Sequence, residues 1–429
     1  MINIPNTDQK RIVVVGAGFG GLAFAQKLAK QDVQVVLIDK NNYHQFQPLF
    51  YQVAMAGLEP SAISFPLRKV FQKKKNAFIR VTELLSVDTE KQEIETTLGP
   101  LRYDALIVST GVVSNYFGNK ELAKKTIPMK SVAQALHLRN RILADFEEAL
   151  VTPDYEDRQG LIDIVIVGGG PTGVEVAGAL AEMKEYILPK EYIELDSNEV
   201  DIYVVQGATC LLKGMSKNAS DGAEKFLKEL GVKVLLDTRV VSYDGECVSM
   251  SDGSRIRSKK VIWAAGVKGR KIKGLSDEFY NRSFRLIIDQ QCKVVGTNNV
   301  FALGDAAAMQ TDDLPRGHPQ LAQVALQQGK FLAKHLVDIL NNDCDKSFAY
   351  KNLGSMATIG RNRAVVDLPR FKFKGFFAWM VWLFVHLFSI LGVKNKVMVF
   401  INWMWNYLTY DQSLRLIIKA EDRSNIDDA

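Results

Sequence analysis

Two glycine-rich turns, each placed directly after a run of β-branched residues, constrain the fold of this chain more than any other feature. Arg11–Val15 leads into Gly16-Ala17-Gly18-Phe19-Gly20-Gly21, and Ile162–Val167 leads into Gly168-Gly169-Gly170-Pro171-Thr172-Gly173. Apolar residues at helical spacing and a second β-branched run follow each turn. Strand, glycine turn, helix and strand form the βαβ unit that binds a dinucleotide. The turns begin 152 residues apart, so the sequence predicts an α/β fold with two Rossmann-like dinucleotide-binding domains.

The first turn meets the requirements of a dinucleotide site. Its glycines allow a tight turn, backbone approach to a pyrophosphate and close contact between helix and strand, and the helix start offers free N–H groups to the phosphates. The next strand, Val33–Ile38, ends at Asp39, whose carboxylate can accept hydrogen bonds from ribose hydroxyls. A bare structural turn is the alternative. The predicted cofactor-binding residues here are Gly16, Ala17, Gly18, Phe19, Gly20, Gly21, Asp39 and Lys40.

A further acid, Asp305, follows Gly304 at the end of a predicted strand, Val300–Leu303. An acid in this position can bond the ribityl chain of a flavin, which would make the first site an FAD site. By residue type alone, Asp305 could equally cap the next helix, which we expect from about Pro319 to Leu340.

The second turn repeats the fingerprint without its acid. The strand after it, Val200–Val205, ends in Gln206, where an NAD site usually carries Asp or Glu. Gln206 can still hydrogen-bond a ribose 2′-hydroxyl and would not repel a 2′-phosphate, so we expect use of NADH with weakened discrimination against NADPH. An exposed strand-end glutamine of no consequence is the alternative. The predicted cofactor-binding residues here are Gly168, Gly170, Thr172, Gly173, Gln206, Ala265 and Gly266.

Glu175 follows the last glycine of the second turn by two residues and is expected in the first turn of the helix. A carboxylate in that position is favoured by the helix dipole, which would be a purely structural role. At a nicotinamide site the same carboxylate could position the cofactor or transfer a proton. The residues themselves leave both interpretations open.

Cysteine and histidine spacing restricts the electron acceptor. The four cysteines are far apart with no CxxC pair, which argues against a disulfide framework, a dithiol pathway and an iron–sulfur cluster, and the five scattered histidines predict no metal site. The N-terminal segment lacks the apolar region of a signal peptide. Two nucleotide sites without these groups suggest a flavin that takes hydride from a nicotinamide nucleotide and reduces a diffusible acceptor.

The C-terminal region has a composition of its own. Leu368–Tyr410 contains no Asp or Glu and four of the five tryptophans, and its uncharged run Gly375–Val393 has lysines on both sides. Between Arg361 and Lys396 there are seven bases and one acid, a charge equal to the +6 of the whole chain. The pattern favours interfacial helices that bind an anionic lipid surface as a monotopic anchor, with no nucleic-acid motif. A buried homodimer interface and a membrane-spanning helix stay open.

The chain resembles the type II NADH dehydrogenases, which are single-subunit NADH:quinone oxidoreductases that do not pump protons. The resemblance covers nearly the whole chain. Its segments are Gly16–Gly21, Asn42–Ala54, Gly168–Gly173 with Glu175, Trp263–Gly266, Leu303–Ala306, Ala322–Gln327 (the AQxAxQ quinone motif) and Ala357–Arg363.

The resemblance implies non-covalent FAD in the first site, NADH in the second and a quinone, menaquinone or ubiquinone, as acceptor. It places Leu84 beside the adenine, Thr110, Gly111 and Asp305 on the flavin, and Ala325 and Leu326 near its ring. Gln323 and Gln327 would line the quinone path, although by spacing alone they are neighbours on an exposed helix face. The catalytic residues predicted in this way are Glu175, Gln323 and Gln327.

The predicted domains are an FAD-binding domain (residues 1–118 and 286–345), an NAD(P)H-binding domain (119–285) and a C-terminal membrane-anchoring domain (346–429), on the cytoplasmic face of the cell membrane. We expect a ping-pong reaction in which NADH gives hydride to the flavin and quinone then takes two electrons and two protons. A redox-sensing flavoprotein scaffold and a reductase for a soluble acceptor are the competing interpretations.

Overall fold

The computed structural model describes residues 2–411 and 414–418. Its helices are α1 Phe19–Leu28, α2 Phe50–Ala54, α3 Leu67–Val70, α4 Lys120–Lys125, α5 Val132–Leu150, α6 Tyr155–Ile162, α7 Pro171–Tyr186, α8 Leu188–Glu191, α9 Lys217–Glu229, α10 Ala322–Leu340, α11 Phe376–Ser389 and α12 Val393–Thr409. Its strands are β1 Arg11–Val15, β2 Gln34–Asp39, β3 Tyr43–Gln45, β4 Ser64–Pro66, β5 Ala77–Val81, β6 Leu84–Asp88, β7 Glu93–Thr96, β8 Gly99–Arg102, β9 Ala105–Val108, β10 Val113–Ser114, β11 Ile127–Pro128, β12 Ile164–Val167, β13 Ile202–Val205, β14 Lys233–Leu235, β15 Val240–Tyr243, β16 Cys247–Met250, β17 Arg255–Arg257, β18 Lys260–Trp263, β19 Val267–Lys268, β20 Leu286–Ile288, β21 Val300–Ala302, β22 Ala307–Met309, β23 Ser355–Thr358, β24 Ala364–Asp367 and β25 Lys372–Lys374.

The first of two compact units comprises Met1–Gln45, Ser64–Val113 and Val267–Leu353. Its main sheet has the strand order β21-β9-β1-β2-β5, and all of its pairings are parallel. β1 is almost wholly buried and β-branched, as expected of a strand covered on both faces. Because β1 lies between β2 and β9, its carboxyl end is the point where strand order reverses and a ligand crevice opens.

The second unit comprises Phe46–Ile63, Ser114–Gly266 and Gly354–Ala429. Its main sheet, β11-β18-β12-β13-β14, is again parallel, with β12 in the position that β1 has in the first unit. Pro171 begins α7, where a missing backbone N–H costs nothing. The antiparallel sheet β23-β24-β25 and the helices α11 and α12 also belong to this unit.

The predicted α/β fold with two dinucleotide-binding units is confirmed, and most of the predicted elements lie within a few residues of the observed ones. The helix expected from about Pro319 begins at Ala322. The uncharged run Gly375–Val393 does not form one helix, because α11 ends at Ser389 and α12 begins at Val393. The three-domain division stays a prediction.

Candidate functional site

The first glycine turn is tight because backbone atoms lie very close to two of its glycines. Gly16 has φ +103°, and a Cβ added to it would lie 2.3 Å from the Ser109 carbonyl oxygen. A Cβ on Gly21 would lie 2.0 Å from the Gly16 oxygen, whereas one on Gly18 would meet nothing within 4 Å. The start of α1 also lacks a side-chain cap. An open backbone beside uncapped helix N–H groups fits a pyrophosphate.

Asp39 at the end of β2 supports this turn directly. One carboxylate oxygen accepts the Ala17 N–H at 2.7 Å and the other accepts the Asn41 N–H at 2.7 Å. Each oxygen keeps a second lone pair, so the carboxylate can still accept a ribose hydroxyl. Lys40 beside it is exposed. The cofactor contacts predicted for Asp39 and Lys40 stay predictions.

The ends of β9 and β21 supply two further turns of the first unit. Gly111 has φ +67° with open space around it, and Gly304 has φ +64°. Asp305 lies in a one-turn 3₁₀ helix, Gly304–Ala306, while α10 begins after Leu321 without a side-chain cap. The alternative in which Asp305 caps the next helix is therefore wrong. Leu84, predicted beside the adenine, lies at the start of β6 and is partly buried.

Two residues that sequence reasoning missed hold the loop around Asp305. The guanidinium of Arg285 donates hydrogen bonds to the carbonyls of Asp305, Ala307, Arg316 and His318. The buried amide oxygen of Gln328 accepts the Gly304 N–H at 2.8 Å. A repeated glutamine, Gln327-Gln328, was the only signal for this bond. The Arg285 contact had no sequence signal, because its acceptors are all backbone carbonyls.

The two glutamines of the quinone motif both contact the segment after α10. The amide of Gln327 donates to the Lys351 carbonyl at 2.9 Å and accepts the Lys351 N–H at 3.0 Å. Gln323 accepts from the Tyr350 hydroxyl at 3.4 Å. These bonds hold the Lys351 backbone and the Tyr350 side chain. Between the two glutamines in sequence, Ala325 packs against Gly304, whose added Cβ would lie 2.9 Å from the Ala325 side chain.

The second glycine turn repeats the geometry of the first. Gly168 has φ +113°, and a Cβ on it would lie 2.5 Å from the Ala264 carbonyl. A Cβ on Gly173 would lie 1.9 Å from the Gly168 oxygen, whereas one on Gly170 would meet nothing within 4 Å. Gly266, after β18, has φ +138°. This turn also fits a dinucleotide.

Gln206 takes the structural place of the missing acid. Its side-chain oxygen accepts the Gly169 N–H at 3.0 Å, and its amide donates to the Cys210 carbonyl at 3.2 Å. The side chain of Arg239 lies against Gly207, the residue after Gln206. A Cβ added to Gly207 would lie 3.0 Å from the Arg239 Cγ. Gln206 is therefore not an inert strand-end residue, although its cofactor contact stays a prediction.

The sequence predicts Glu175 in the first turn of α7, and this prediction is wrong. Because α7 begins at Pro171, Glu175 lies in the second turn, where the helix dipole stabilises it little. Burial, the largest cause, raises the pKa of Glu175 to about 8, although hydrogen bonding from the Thr358 backbone and the Trp382 side chain lowers it in part. The carboxyl is therefore largely protonated at pH 7 and can release a proton.

The helices α11 and α12 close an apolar cavity within the second unit. The cavity has a volume of 520 Å³, and Tyr51, Trp382 and Trp403 are among its lining residues. Trp382 is buried, whereas large apolar side chains on the outer face of these helices, such as Phe377 at 76% exposure, are open. None of the helices among residues 2–411 and 414–418 combines the length and apolarity that crossing a membrane requires.

Known proteins share these features. Residues 10–329 match the pyridine nucleotide-disulphide oxidoreductase family, and residues 352–410 match the NDH2 C-terminal domain family. A type II NADH:quinone oxidoreductase of Mycobacterium tuberculosis is 36% identical, with 93% of this chain and 88% of that protein covered. One from Staphylococcus aureus is 29% identical, with 83% and 89% covered.

Solved structures agree in fold. The structure of Plasmodium falciparum NDH2 in complex with NADH superposes with a TM-score of 0.87 at 22% identity, with 96% of this chain and 100% of that chain covered. The sulfide:quinone oxidoreductase of Aquifex aeolicus gives a TM-score of 0.70 at 18% identity, with 96% of each chain covered. At these identities the likeness concerns the fold alone.

Proposed function

Since this chain belongs to the type II NADH:quinone oxidoreductases, we propose how its two units and its C-terminal helices divide the reaction between them. The protein is an FAD-dependent enzyme that passes a hydride from NADH to FAD and two electrons to a quinone without pumping protons. The observation that carries the division is the presence of two glycine turns, each with an open central glycine and an uncapped helix start.

The first unit holds FAD without a covalent bond. FAD, when bound, supplies the chemistry that accepts a hydride and gives up electrons. Asp39 binds the adenosine ribose, and the uncapped start of α1 binds the pyrophosphate. Asp305, fixed by Arg285, contacts the flavin, as do Thr110 and Gly111. The remaining proposed contacts of this unit are Leu84, Ala325 and Leu326.

The second unit holds NADH, and its strand end also accepts NADPH. Gln206 brings no negative charge to the position where an acid would repel a 2′-phosphate. The exposed guanidinium of Arg239 lies close to that strand end and can attract the phosphate. The proposed contacts are Gly168, Gly170, Thr172, Gly173, Gln206, Ala265 and Gly266.

Glu175 supplies a proton to the quinone reaction. Its raised pKa keeps a transferable proton on the carboxyl near neutral pH, as a general acid requires. Gln323 holds the Tyr350 side chain and Gln327 holds the Lys351 backbone, and so both shape the quinone path rather than moving protons.

The C-terminal helices dock on an anionic lipid surface at the cytoplasmic face of the cell membrane. Their outer faces expose large apolar side chains, including Phe377, Phe384 and Phe388. Two exposed lysines, Lys374 just before α11 and Lys394 in the first turn of α12, can meet lipid phosphates. Lipid-soluble menaquinone or ubiquinone would then reach the enzyme from the bilayer. A homodimer through the same helices is the competing use of this surface.

The reaction and the docking can be tested on the same preparation. Purified protein should contain one FAD per chain and reduce a water-soluble quinone analogue with NADH. It should float with vesicles that contain anionic lipid. A Phe377→Glu/Phe388→Glu variant should lose flotation and keep its NADH:quinone activity, while Val151→Glu on another exposed surface should change neither. Flotation retained by the double variant would contradict docking through α11.

A further inference from the structure

Helix α7 carries a second carboxylate, Glu182, that the reaction described above does not use. Glu175 and Glu182 are seven residues apart, so they lie on one face of the helix with about 10.5 Å between them along its axis. The same loop serves both: hydrogen bonding from the Thr358 backbone reaches Glu175, and the Arg361 N–H donates to Glu182. The two carboxyls therefore occupy the two ends of the segment Thr358–Arg361.

Tyr51 of α2 lies near both carboxyls. The Tyr51 hydroxyl is buried, and its pKa is raised by burial first and then by the negative charges of Glu175 and Glu182. The hydroxyl accepts a hydrogen bond from the Gln52 amide at 2.8 Å, and the Gln52 oxygen accepts the Trp403 indole N–H at 2.7 Å. Since the indole can only donate, it fixes the orientation of the Gln52 amide. The proton of the Tyr51 hydroxyl is therefore left for donation in another direction.

Glu182 also lies where two cavities meet. The apolar cavity of 520 Å³ and a polar pocket of 350 Å³ share four lining residues, Glu182, Tyr186, Arg361 and Tyr410. Among the lining residues that the structure describes, Glu182 is the sole carboxylate in both cavities. Residues of the polar pocket are partly exposed, so bulk water can reach Glu182 from that side. The apolar cavity continues to Tyr51, and its polar lining groups, among them those of Glu182 and Gln52, can hold ordered water between them.

The stoichiometry of the reaction requires a proton from solution. NADH brings two electrons with one hydrogen nucleus, whereas a quinol carries two hydrogens more than the quinone. The overall change is NADH plus quinone plus H⁺ giving NAD⁺ plus quinol, and one proton must therefore enter the protein in each turnover. We propose that Glu182 is the entry group for this proton, which passes through the Tyr51 hydroxyl and cavity water to reprotonate Glu175. The inference rests on the proposed function of Glu175.

The groups around Glu182 have opposing effects on its pKa. Burial, the largest cause, raises its pKa, and Glu185 raises it further, whereas the Arg361 N–H and the charges of Arg361 and Arg363 lower it. The Arg361 guanidinium is itself held by stacking on Tyr410, 3.5 Å from the ring centroid, and on Tyr407. Glu182 contacts no substrate in this proposal and acts only through Glu175.

The test uses Glu182→Gln in the FAD-loaded enzyme. Glutamine keeps the acceptor for the Arg361 N–H and the volume but cannot carry the proton. Steady-state turnover with NADH and quinone, in which Glu175 must be reprotonated in every cycle, should slow by about tenfold or more, as measured by NADH absorbance. Ferricyanide, which takes electrons without protons, should oxidise the variant at the wild-type rate. The solvent deuterium isotope effect on turnover with quinone should increase in the variant. A small weak acid such as formic acid should restore part of the lost rate.

Two further variants complete the test. Tyr51→Phe should slow turnover with quinone to the same extent and leave turnover with ferricyanide unchanged. Glu194→Gln, which removes an exposed carboxylate that lines neither cavity, should leave the rates with both acceptors unchanged. Equal slowing with quinone and ferricyanide would make Glu182 a structural residue, and an unchanged quinone rate would remove it from the proton path. Loss in Glu175→Gln without loss in Glu182→Gln would overturn this inference alone. A normal quinone rate in Glu175→Gln would overturn the proposed proton function as well.

Discussion

The two glycine turns of this protein are nearly identical in backbone and differ in the side chain that supports them. In the first unit the Ala17 N–H is bound by the Asp39 carboxylate at 2.7 Å. In the second unit the equivalent Gly169 N–H is bound by the Gln206 amide oxygen at 3.0 Å. The glycines fix the shape of the phosphate cradle, whereas the residue at the end of the second strand decides which nucleotide the cradle accepts.

The sheets also differ at a buried position at the amino ends of the strands that precede these turns. Ile12 of β1 pairs with Ala105, and Ile164 of β12 pairs with Lys260 in the same register. Lys260 is fully buried, and its ammonium lies 3.0 Å from the carboxylate of Asp145, which is also bound by Arg141. The second unit therefore contains a buried ion pair where the first has a methyl group. Such a pair makes stability depend on both partners.

The largest effect should come from adding one methyl group to each turn. In Gly21→Ala and Gly173→Ala, the new Cβ would lie 2.0 Å and 1.9 Å from a backbone carbonyl oxygen, which cannot move without opening the turn. Gly21→Ala should purify without FAD and without any NADH-dependent activity. Gly173→Ala should keep its FAD and lose activity through a KM for NADH that rises by about tenfold or more, which is 1.4 kcal/mol. Flavin absorbance and NADH:ferricyanide kinetics measure both.

Gly214→Ala is the matched control, because a Cβ there meets nothing within 4 Å and the residue is exposed. It should match the wild type in FAD content and in activity. Loss of FAD in both turn variants would mean that the turns do not divide the two nucleotides in the proposed way.

The ion pair of the second unit should give the next largest effect. Asp145→Asn leaves the Lys260 ammonium buried without its counter-charge, and breaking a buried pair in this way costs about 3–5 kcal/mol. Lys260→Met should cost less, because Asp145 keeps its bond to Arg141 at 2.9 Å. Thermal unfolding of the FAD-loaded variants measures the difference. An Asp145→Asn variant as stable as Lys260→Met would show that the pair contributes little.

The sequence was sufficient to predict the parts of this comparison that depend on periodicity and glycine spacing. β1 has the predicted bounds, because a short β-branched run in a parallel sheet is buried on both faces. Both turns were predicted because their glycines are required by local sterics. The helix α10 begins at Ala322, three residues after Pro319, where the sequence predicts its start.

The contacts that join distant segments could not be predicted. The pairing of Lys260 with Asp145 spans 115 residues, and that of Arg285 with the carbonyls around Asp305 involves acceptors that no residue type marks. Glu175 lies in the second turn of α7, and not in the first as the sequence predicts, because the helix begins at Pro171. Burial raises its pKa, and the two partners that lower it in part, Thr358 and Trp382, lie about 200 residues later in the chain, so that only the fold brings them near.

A smaller effect should appear in the pH dependence of the same ion pair. Burial outweighs the charge of Asp145 and lowers the pKa of Lys260 from 10.5 to about 8. Between these values the unfolded chain binds more protons than the folded one, so this group makes the free energy of unfolding rise with pH. Below about pH 8 the full cost of the buried charge is present. The melting temperature of the wild type minus that of Lys260→Met should therefore increase from pH 8 to pH 10, and a constant difference would contradict the lowered pKa.

A change at Gln206, the residue at the end of β13, should have the smallest effect on activity as a whole, and that effect should be specific to the choice between NADH and NADPH. Gln206→Glu keeps an oxygen for the Gly169 N–H but adds a charge that repels a 2′-phosphate. The ratio of kcat/KM for NADPH to that for NADH should fall by about tenfold, or 1.4 kcal/mol. Arg239→Gln should lower the NADPH value by a smaller factor and leave NADH unchanged, because the guanidinium would meet only the extra phosphate. Strong rejection of NADPH by the wild-type enzyme would contradict the proposal, since Gln206 would then discriminate as an acid does.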